Sequence, residues 1–297
     1  MPPAPSARVR AGAGALVLAE LIGQDCGAAI AVLLFPSVGV FGVIALRIGF
    51  SAVVLLLVAR PRLPRGLADW GVVAGFGLAI AVMNTAFYLA TERIPLGTAV
   101  TIEVLGPLVL SVVVAHRAIA WLWAGLGVVG VVLLWWGDLH GGDPRGLDPV
   151  GVGFAALAAL CWAGYILASA EAGRRFRRLD GLAWAMAIAA VLTLPAGIAT
   201  SGPRMIDPAH LGLGLAIAVL SSAIPYGVEL LALRRLGASP FGVLMSMSPA
   251  IAAGVGLVIL HQALPLPAIA AIVLVAAASA GAVLTAPRRP PIAEPLA

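Results

Sequence analysis

Hydrophobic stretches of about 20 residues follow one another along this chain, separated by short connections that contain Pro, Gly or Arg. The apolar core of a bilayer is about 30 Å thick, and a helix needs about 20 apolar residues to cross it. The pattern therefore predicts an all-α integral membrane protein with ten transmembrane helices. The predicted helices are 14–34, 38–59, 68–90, 95–115, 119–137, 150–170, 181–200, 210–233, 240–260 and 266–286.

The composition agrees with this prediction. Hydrophobic residues make up 62% of the chain and charged residues only 10%, which is too little polar surface for a soluble domain. Residues 1–13 and 287–297 are rich in Pro and are predicted to be disordered tails. Glu20 and Asp25 interrupt the first apolar segment, which argues against a cleaved signal peptide.

The arginines alternate between the two sides of the predicted bundle. If the N-terminus is cytoplasmic, most of them fall in cytoplasmic segments, as the positive-inside rule requires. Both termini are then predicted to be cytoplasmic, and the net charge of +5 needs no nucleic-acid partner, because the basic residues are dispersed. The cytoplasmic set is Arg8, Arg10, Arg60, Arg62, Arg65, Arg117, Arg174, Arg175, Arg177, Arg178, Arg234, Arg235, Arg288 and Arg289, against Arg93, Arg145 and Arg204 outside.

The ten predicted helices divide into two sets of five, residues 14–137 and 150–286, joined by a Gly-rich acidic loop. At a constant offset, Gly106-Pro107 of the first set falls on Ser248-Pro249 of the second. Because five is odd, the second set must enter the membrane in the opposite orientation. Inverted repeats of this kind are typical of secondary transporters, which bind their substrate near the midplane.

Motifs spread over nearly the whole chain resemble the drug/metabolite transporter superfamily, EamA type, and within it the threonine/homoserine exporter group. The resemblance implies a ten-helix secondary transporter of the bacterial inner membrane that exports amino acids or related small metabolites. The family often has Glu where this chain has Ser248, and Gly-Glu where it has His261-Gln262. The motifs are Phe35-Pro36-Ser37-Val38-Gly39, Ala45-Leu46-Arg47, Met83-Asn84, Phe87-Tyr88-Leu89, Pro95-Leu96-Gly97, Glu103, Gly106-Pro107, Cys161-Trp162-Ala163-Gly164-Tyr165-Ile166-Leu167, Pro225-Tyr226, Glu229-Leu230 and Phe241-Gly242-Val243-Leu244-Met245-Ser246-Met247.

Two charged residues within the first two predicted helices form one candidate pair. An ionisable group at the bilayer centre needs a partner or a water-filled cavity. Counted from the outer helix ends at about 1.5 Å per residue, Asp25 and Arg47 lie at nearly equal depth. We predict an Asp25–Arg47 ion pair, which either binds substrate or only locks the two helices together.

Three glutamates are candidates for proton coupling or gating. Glu103 lies one turn before Pro107, which removes a backbone hydrogen bond and kinks or breaks the helix. A carboxylate beside such a break can bind a substrate ammonium or a coupling proton, and its alternative role is a hydrogen bond between helices. Glu20 and Glu229 fall nearer the cytoplasmic mouth. They are predicted to act at a gate, although Glu229 could instead pair with Arg234.

Polar aromatic residues are the remaining candidates for substrate binding. Asn84 and Tyr88 lie four residues apart and therefore share a helix face. Two further pairs at helical spacing also share a face: Trp162 with Tyr165, and Tyr226 with Glu229. Rings can pack on an amphipathic zwitterion while hydroxyls and amides orient its ends. The alternative role of Tyr88 is an aromatic anchor at the membrane interface.

Other function classes find little support in the residues. The four histidines lack metal-ligand spacing, no nucleophile–base set typical of an intramembrane enzyme is present, and the absence of Lys excludes a P-loop. We therefore predict a non-enzymatic transporter without metal or cofactor. Its partners are a small molecule, protons and the lipid bilayer, and a monomer and a homodimer both stay open. Transport of another metabolite or drug class, and a channel or scaffold, remain the alternatives.

Overall fold

The computed structural model describes residues 7–115, 118–140, 148–177, 179–223, 225 and 243–285. Their regular structure is entirely helical, and they contain no strand. A short 3₁₀ helix, Gly202–Ile206, follows α8, and a π-helical turn, Val219–Ala223, follows α9. The α-helices are α1 Ala7–Val38, α2 Val40–Ala59, α3 Leu67–Thr91, α4 Leu96–Glu103, α5 Leu105–Ala115, α6 Ala118–His140, α7 Pro149–Arg175, α8 Asp180–Ser201, α9 Pro208–Ala218, α10 Ser248–Leu260 and α11 Leu266–Thr285.

Seven helical stretches of the described chain are long and apolar enough to cross a bilayer, and three shorter apolar stretches accompany them. The predicted all-α, multi-pass membrane class is therefore confirmed. All ten predicted segments fall on these stretches, but only seven reach spanning length, so ten crossing helices stay a prediction. The seven are Gly14–Val38, Val40–Ala59, Leu67–Thr91, Pro149–Arg175, Asp180–Ile206, Val243–Leu260 and Leu266–Thr285; the three are Leu96–Leu110, Ile119–Leu134 and Pro208–Ser221.

Two of the predicted segments differ locally from the structure. The segment 95–115 is divided at Val104 into α4 and α5. At the N-terminus, α1 begins at Ala7, so the predicted disorder of residues 1–13 is wrong for residues 7–13. Ala and Arg dominate that stretch, and both favour helix strongly. Part of the predicted helix 210–233, the residues from 226 onward, lies outside the described residues, as do 1–6 and 286–297.

The helices of the two predicted repeats are interleaved rather than separate. α2 packs against α8, α3 against α7 and α8, α6 against α11, and α4 against α10 and α7. Glycine permits close approaches between helices. A Cβ at Gly106 on α5 would overlap the carbonyl oxygen of Ala159 on α7. Gly97 on α4 similarly faces the backbone of Ala253 on α10. The result is one helical bundle with its polar residues at the centre.

The outward faces of the bundle are apolar. Large side chains such as Leu57 and Val258 are 68% and 73% exposed, far more than single surface hydrophobics of a soluble protein would require. These faces suit contact with lipid tails. Apolar residues therefore lie both on the lipid-facing surface and between the helices. The few charged side chains lie near helix ends, in loops and around the interior cavity.

Two of the predicted cytoplasmic loops lie at the same end of the bundle. Arg175 on α7 lies 3.7 Å from Asp69 on α3, and the indole N–H of Trp184 on α8 donates to the carbonyl of Arg62 at 2.9 Å. These contacts tie the loop between α2 and α3 to the loop between α7 and α8. Arg93, predicted to lie on the other side, pairs instead with Asp148 at 2.9 Å.

Candidate functional site

A cavity of about 190 Å³ lies at the centre of the bundle, between α1, α2, α3, α4, α7, α8, α10 and the π turn. Apolar contributors such as Ile80 and Val100 line it together with a large polar set. In a chain with 10% charged residues, this concentration of ionisable groups inside the bundle marks the candidate site. The polar lining residues are Glu20, Gln24, Asp25, Arg47, Ser51, Asn84, Glu103, Trp162, Tyr165, Ser221 and Ser248.

Arg47 is held in the cavity wall by two residues of α3. Its Nη1 donates to Asn84 Oδ1 at 2.7 Å and to the Tyr88 hydroxyl at 3.0 Å. The Tyr88 ring also lies 5.3 Å from the Arg47 Cζ, within cation–π range. Asn84 is itself oriented, because its Nδ2 donates to the Ile80 carbonyl at 2.9 Å. The guanidinium therefore has a fixed position, and among the described residues no carboxylate is hydrogen-bonded to it.

The predicted Asp25–Arg47 ion pair is wrong. The described side chains that hold Arg47 belong to α3, and no Asp25–Arg47 contact within ion-pair distance joins α1 to α2. Asp25 is only 4% exposed, and its Oδ2 has no hydrogen-bond partner among the described residues. The prediction used only the depth of the two residues along their helices. Depth does not determine the direction in which each side chain points about its helix axis.

Glu103 is the last residue of α4 and lies directly before the break at Val104. Pro107 has no N–H to donate to the Glu103 carbonyl, which explains the interruption. Glu103 lines the same cavity as Arg47 and Asp25. The cavity thus combines one guanidinium with three carboxyl side chains, of which Glu20 and Asp25 come from α1 and Glu103 from α4.

The aromatic candidates divide into two groups. Trp162 and Tyr165 line the cavity from α7. Tyr88 is fully buried and packs edge-on against Phe35 and Phe87, with ring centroids 5.9 and 5.5 Å away. This burial excludes the alternative of an interfacial anchor, and places Tyr88 behind the wall, where it supports Arg47.

Of the remaining candidates, Glu20 is buried and lines the cavity from α1. Tyr226 and Glu229 lie outside the described residues. The structure therefore brings together seven of the predicted site residues around one cavity and places Tyr88 next to it. The seven are Glu20, Asp25, Arg47, Asn84, Glu103, Trp162 and Tyr165.

Sequence reasoning missed several polar lining residues, among them Ser51, Ser221 and Gln24. Ser51 lies one turn after Arg47, and Gln24 one turn after Glu20, so helical periodicity from a charged residue could have found both. Ser221 belongs to a π turn, where the usual helical spacing fails, and the only sequence signal near it is Pro225, which cannot donate to the Ser221 carbonyl. Within the described parts of the chain, no cluster of three or more His, Cys, Asp or Glu could hold a metal ion.

Comparison with known proteins gives a consistent result. Residues 149–284 match the model of the EamA-like transporter family. The chain is 38% identical over 280 residues to the threonine/homoserine exporter RhtA of Salmonella typhimurium strain LT2 and 35% identical to that of Escherichia coli K12, in each case over 94% of both chains. A crystal structure with 20% sequence identity superposes with a TM-score of 0.58 and covers 90% of this chain and 97% of that one. That last likeness concerns the fold alone.

Proposed function

Because the chain belongs to the EamA-like transporter family, we propose that it exports threonine, homoserine or a closely related small molecule across the bacterial inner membrane. Its curated relatives are threonine/homoserine exporters. The observation that carries the proposal is the central cavity with one fixed guanidinium, Arg47, and three carboxyl side chains, Glu20, Asp25 and Glu103. Its volume of about 190 Å³ is smaller than the 300–1,000 Å³ of pockets for drug-sized ligands, which suits a small metabolite.

The proposed binding mode follows from the charges on the cavity wall. A zwitterionic amino acid carries a carboxylate and an ammonium, and each requires a group of opposite charge once water is removed. Arg47 receives the carboxylate, and Asp25 with Glu103 receives the ammonium. Trp162 and Tyr165 pack against the substrate, and Asn84 and Tyr88 act by holding Arg47. We keep Tyr226 among the proposed binding residues on its motif alone.

We propose that proton antiport drives export through the same carboxylates. Asp25 and Glu103 both line the cavity, so an ammonium bound between them stabilises their charged forms. When the substrate leaves, a proton can take its place and neutralise one carboxylate. Competition between proton and ammonium for one site couples the two fluxes. Glu20 and Glu229 are proposed to act at the cytoplasmic gate.

The proposed architecture is two inverted five-helix repeats, and the helix contacts support it. A pseudo-two-fold axis would exchange α1 with α7, α2 with α8, α3 with α9, α4 with α10 and α6 with α11. The pairs α2–α8, α4–α10 and α6–α11 would then lie across the axis, and each is in contact. The same exchange turns the α3–α7 contact into α9–α1 and the α3–α8 contact into α9–α2, and all four contacts are present. It also turns the α1–α10 contact into α7–α4, and both of these are present.

Interrupted helices recur at equivalent places in the two halves. Val104 separates α4 from α5, three residues before Pro107. In the second half, Ser246 and Met247 form a turn just before α10, which has Pro249 in its first turn. Discontinuous helices near the midplane are a common way to build substrate and ion sites in such transporters. Opening of the cavity to alternate sides would complete the transport cycle.

Efflux from proteoliposomes tests the proposal. Vesicles containing the purified protein are loaded with labelled threonine, homoserine and a panel of other amino acids, with and without an imposed pH gradient. We expect saturable efflux of threonine and homoserine that accelerates when protons can enter. Non-saturable flux would indicate a channel, and folded protein that moves no amino acid would contradict the proposal.

The proton role is tested with Glu103→Gln. The amide keeps the shape of the side chain but cannot exchange a proton, so we expect efflux to lose its dependence on the pH gradient and to slow by about tenfold or more. Glu92→Gln is the matched control, because Glu92 is exposed and lies outside the cavity. If Glu103→Gln behaved like the control, Glu103 would not be the coupling residue.

A further inference from the structure

We propose that Ser221 recognises the hydroxyl group on the side chain of the substrate and so selects hydroxylated amino acids over apolar ones of the same shape. This inference rests on the proposed function, since it assigns specificity within the same cavity. It concerns a residue that neither the charge pattern nor the helical periodicity singles out.

Ser221 lies in the cavity wall with an unused hydroxyl. It is 8% exposed and lines the cavity, and its Oγ has no hydrogen-bond partner among the described residues. A buried hydroxyl without a partner is costly. A substrate hydroxyl that bonded to it would remove this cost, whereas a methyl group in the same place would leave it.

The backbone around Ser221 departs from a regular helix. Val219–Ala223 forms a π-helical turn directly after α9, and the described residue beyond it, Pro225, also lines the cavity. Isolated π turns widen a helix locally and occur frequently at functional sites. Here the turn brings Ser221 into the wall of the polar cavity, next to α1.

Gly27 on α1 makes room for the Ser221 hydroxyl. A Cβ at Gly27 would overlap Ser221 Oγ, so any larger residue would displace the hydroxyl. Asp25 and Ser221 both line the cavity, and Asp25 Oδ2 is another buried oxygen without a hydrogen-bond partner among the described residues. An amino acid whose ammonium binds Asp25 in this cavity presents its side chain to another part of the same wall, where we assign Ser221 to its hydroxyl.

The chemistry predicts a particular discrimination. Threonine and valine have nearly the same shape and differ by a hydroxyl in place of a methyl group. A purely apolar pocket separates such isosteres weakly, but a site with a polar group that must be satisfied rejects the analogue that cannot bond to it. We therefore expect the transporter to prefer threonine to valine, and Ser221 to supply the preference.

The experiment measures initial efflux of threonine and of valine from proteoliposomes for the unmodified protein and for Ser221→Ala. We expect the threonine-to-valine ratio to fall by about fivefold in the variant, mainly through slower threonine efflux, because one hydrogen bond is worth about 1 kcal/mol. Ser279→Ala is the matched control: Ser279 is also buried with a partnerless Oγ, but it is not among the cavity-lining residues. Its ratio should not change.

Gly27→Ala provides a second variant that keeps the hydroxyl but displaces it. Like Ser221→Ala, it should lower the threonine-to-valine ratio. If Ser221→Ala does not give monodisperse protein, Gly27→Ala alone tests whether Ser221 supplies the preference for threonine. An unchanged ratio in folded Ser221→Ala, or equal efflux of both amino acids by the unmodified protein, would overturn the role of Ser221 while leaving the proposed function intact. If the unmodified protein moved no amino acid, the proposed function would fail first.

Discussion

Asp148 combines two roles at the N-terminal end of α7. Its Oδ1 accepts a hydrogen bond from the Val150 N–H at 2.8 Å, which caps the helix. Its Oδ2 accepts one from the Arg93 guanidinium at 2.9 Å. The Arg93 hydrogen bond, helped by the backbone N–H of Val150, holds the pKa of the Asp148 carboxyl below its ordinary value. The pair joins the loop after α3 to the start of the second predicted repeat.

The lowered pKa predicts a pH-dependent contribution to stability. A carboxyl whose pKa is lower in the folded state stabilises the protein above its unfolded pKa of about 3.9 and loses this effect as pH falls through the folded value. Asp148→Asn keeps a capping side chain but loses the charge. We expect a small decrease in melting temperature in detergent at pH 7, which disappears as pH is lowered below about 4.

Asp207→Asn is the control for this prediction. Asp207 caps α9 through Ala209 in the same way, and the described residues give it no ion pair. Its replacement should change the melting temperature little at either pH. A pH-independent difference between Asp148→Asn and the unmodified protein would show that the Arg93 pair does not contribute.

At the level of single residues, the sequence identified most of the cavity but not its internal pairing. Ionisable residues within apolar segments, such as Asp25, Arg47 and Glu103, could be found because their burial requires a compensating environment. Their partners could not be derived. Arg47 bonds to Asn84 and Tyr88 because α3, rather than α1, presents acceptors to it.

Among the helices, close packing depends on glycine at particular crossings. α5 approaches α7 at Gly106, where the atom opposite is the backbone carbonyl oxygen of Ala159. Backbone cannot move aside as the end of a flexible side chain can. A side chain at this position must therefore separate the two helices or distort one of them.

Gly106→Ala should destabilise the bundle by about 1–3 kcal/mol, the usual cost of overpacking. Gly254→Ala on α10 is the control, because a Cβ there would meet nothing within 4 Å. It should be neutral or stabilising by up to about 1 kcal/mol, since Ala favours helix over Gly. Unfolding in mixed micelles measures both variants. Equal stabilities would contradict the importance of the α5–α7 contact.

The interruptions of helices were only partly predictable. Pro107 predicts the break near Glu103, because proline cannot donate the backbone hydrogen bond that a continuous helix needs. The π turn that carries Ser221 has a less specific signal. Pro225 lies four residues after Ser221 and cannot donate to its carbonyl, which predicts an interruption but not a π turn. Its conformation depends on packing against α1 and α2.

For the whole molecule, the distribution of arginine predicts the orientation in the membrane. The loops that contain Arg62 and Arg177 lie at one end of the bundle, where Arg62 and Arg175 contact α8 and α3. Basic loops are retained on the cytoplasmic side. We therefore expect this end, and both termini, to be cytoplasmic, and the loop with Arg93 to face outward.

Cysteine labelling tests this orientation. Cys26 and Cys161 are replaced by Ala, and a single cysteine is introduced as Glu92→Cys or Leu63→Cys, both at exposed positions. A membrane-impermeant maleimide should label Glu92→Cys in intact cells and Leu63→Cys only after permeabilisation. The reverse pattern would invert the proposed topology, and labelling of both in intact cells would contradict it.

The sequence by itself determined the membrane class, the positions of nearly all helices, the family and the set of polar residues that cannot face lipid. Each of these depends on local hydrophobicity or on motifs read along the chain. Only the tertiary structure decided how the two predicted repeats interleave, that Arg47 pairs with α3, and that Ser221 joins the cavity wall. These features depend on rotation about helix axes and on close approach at glycine, and neither is encoded in the spacing of residues along one helix.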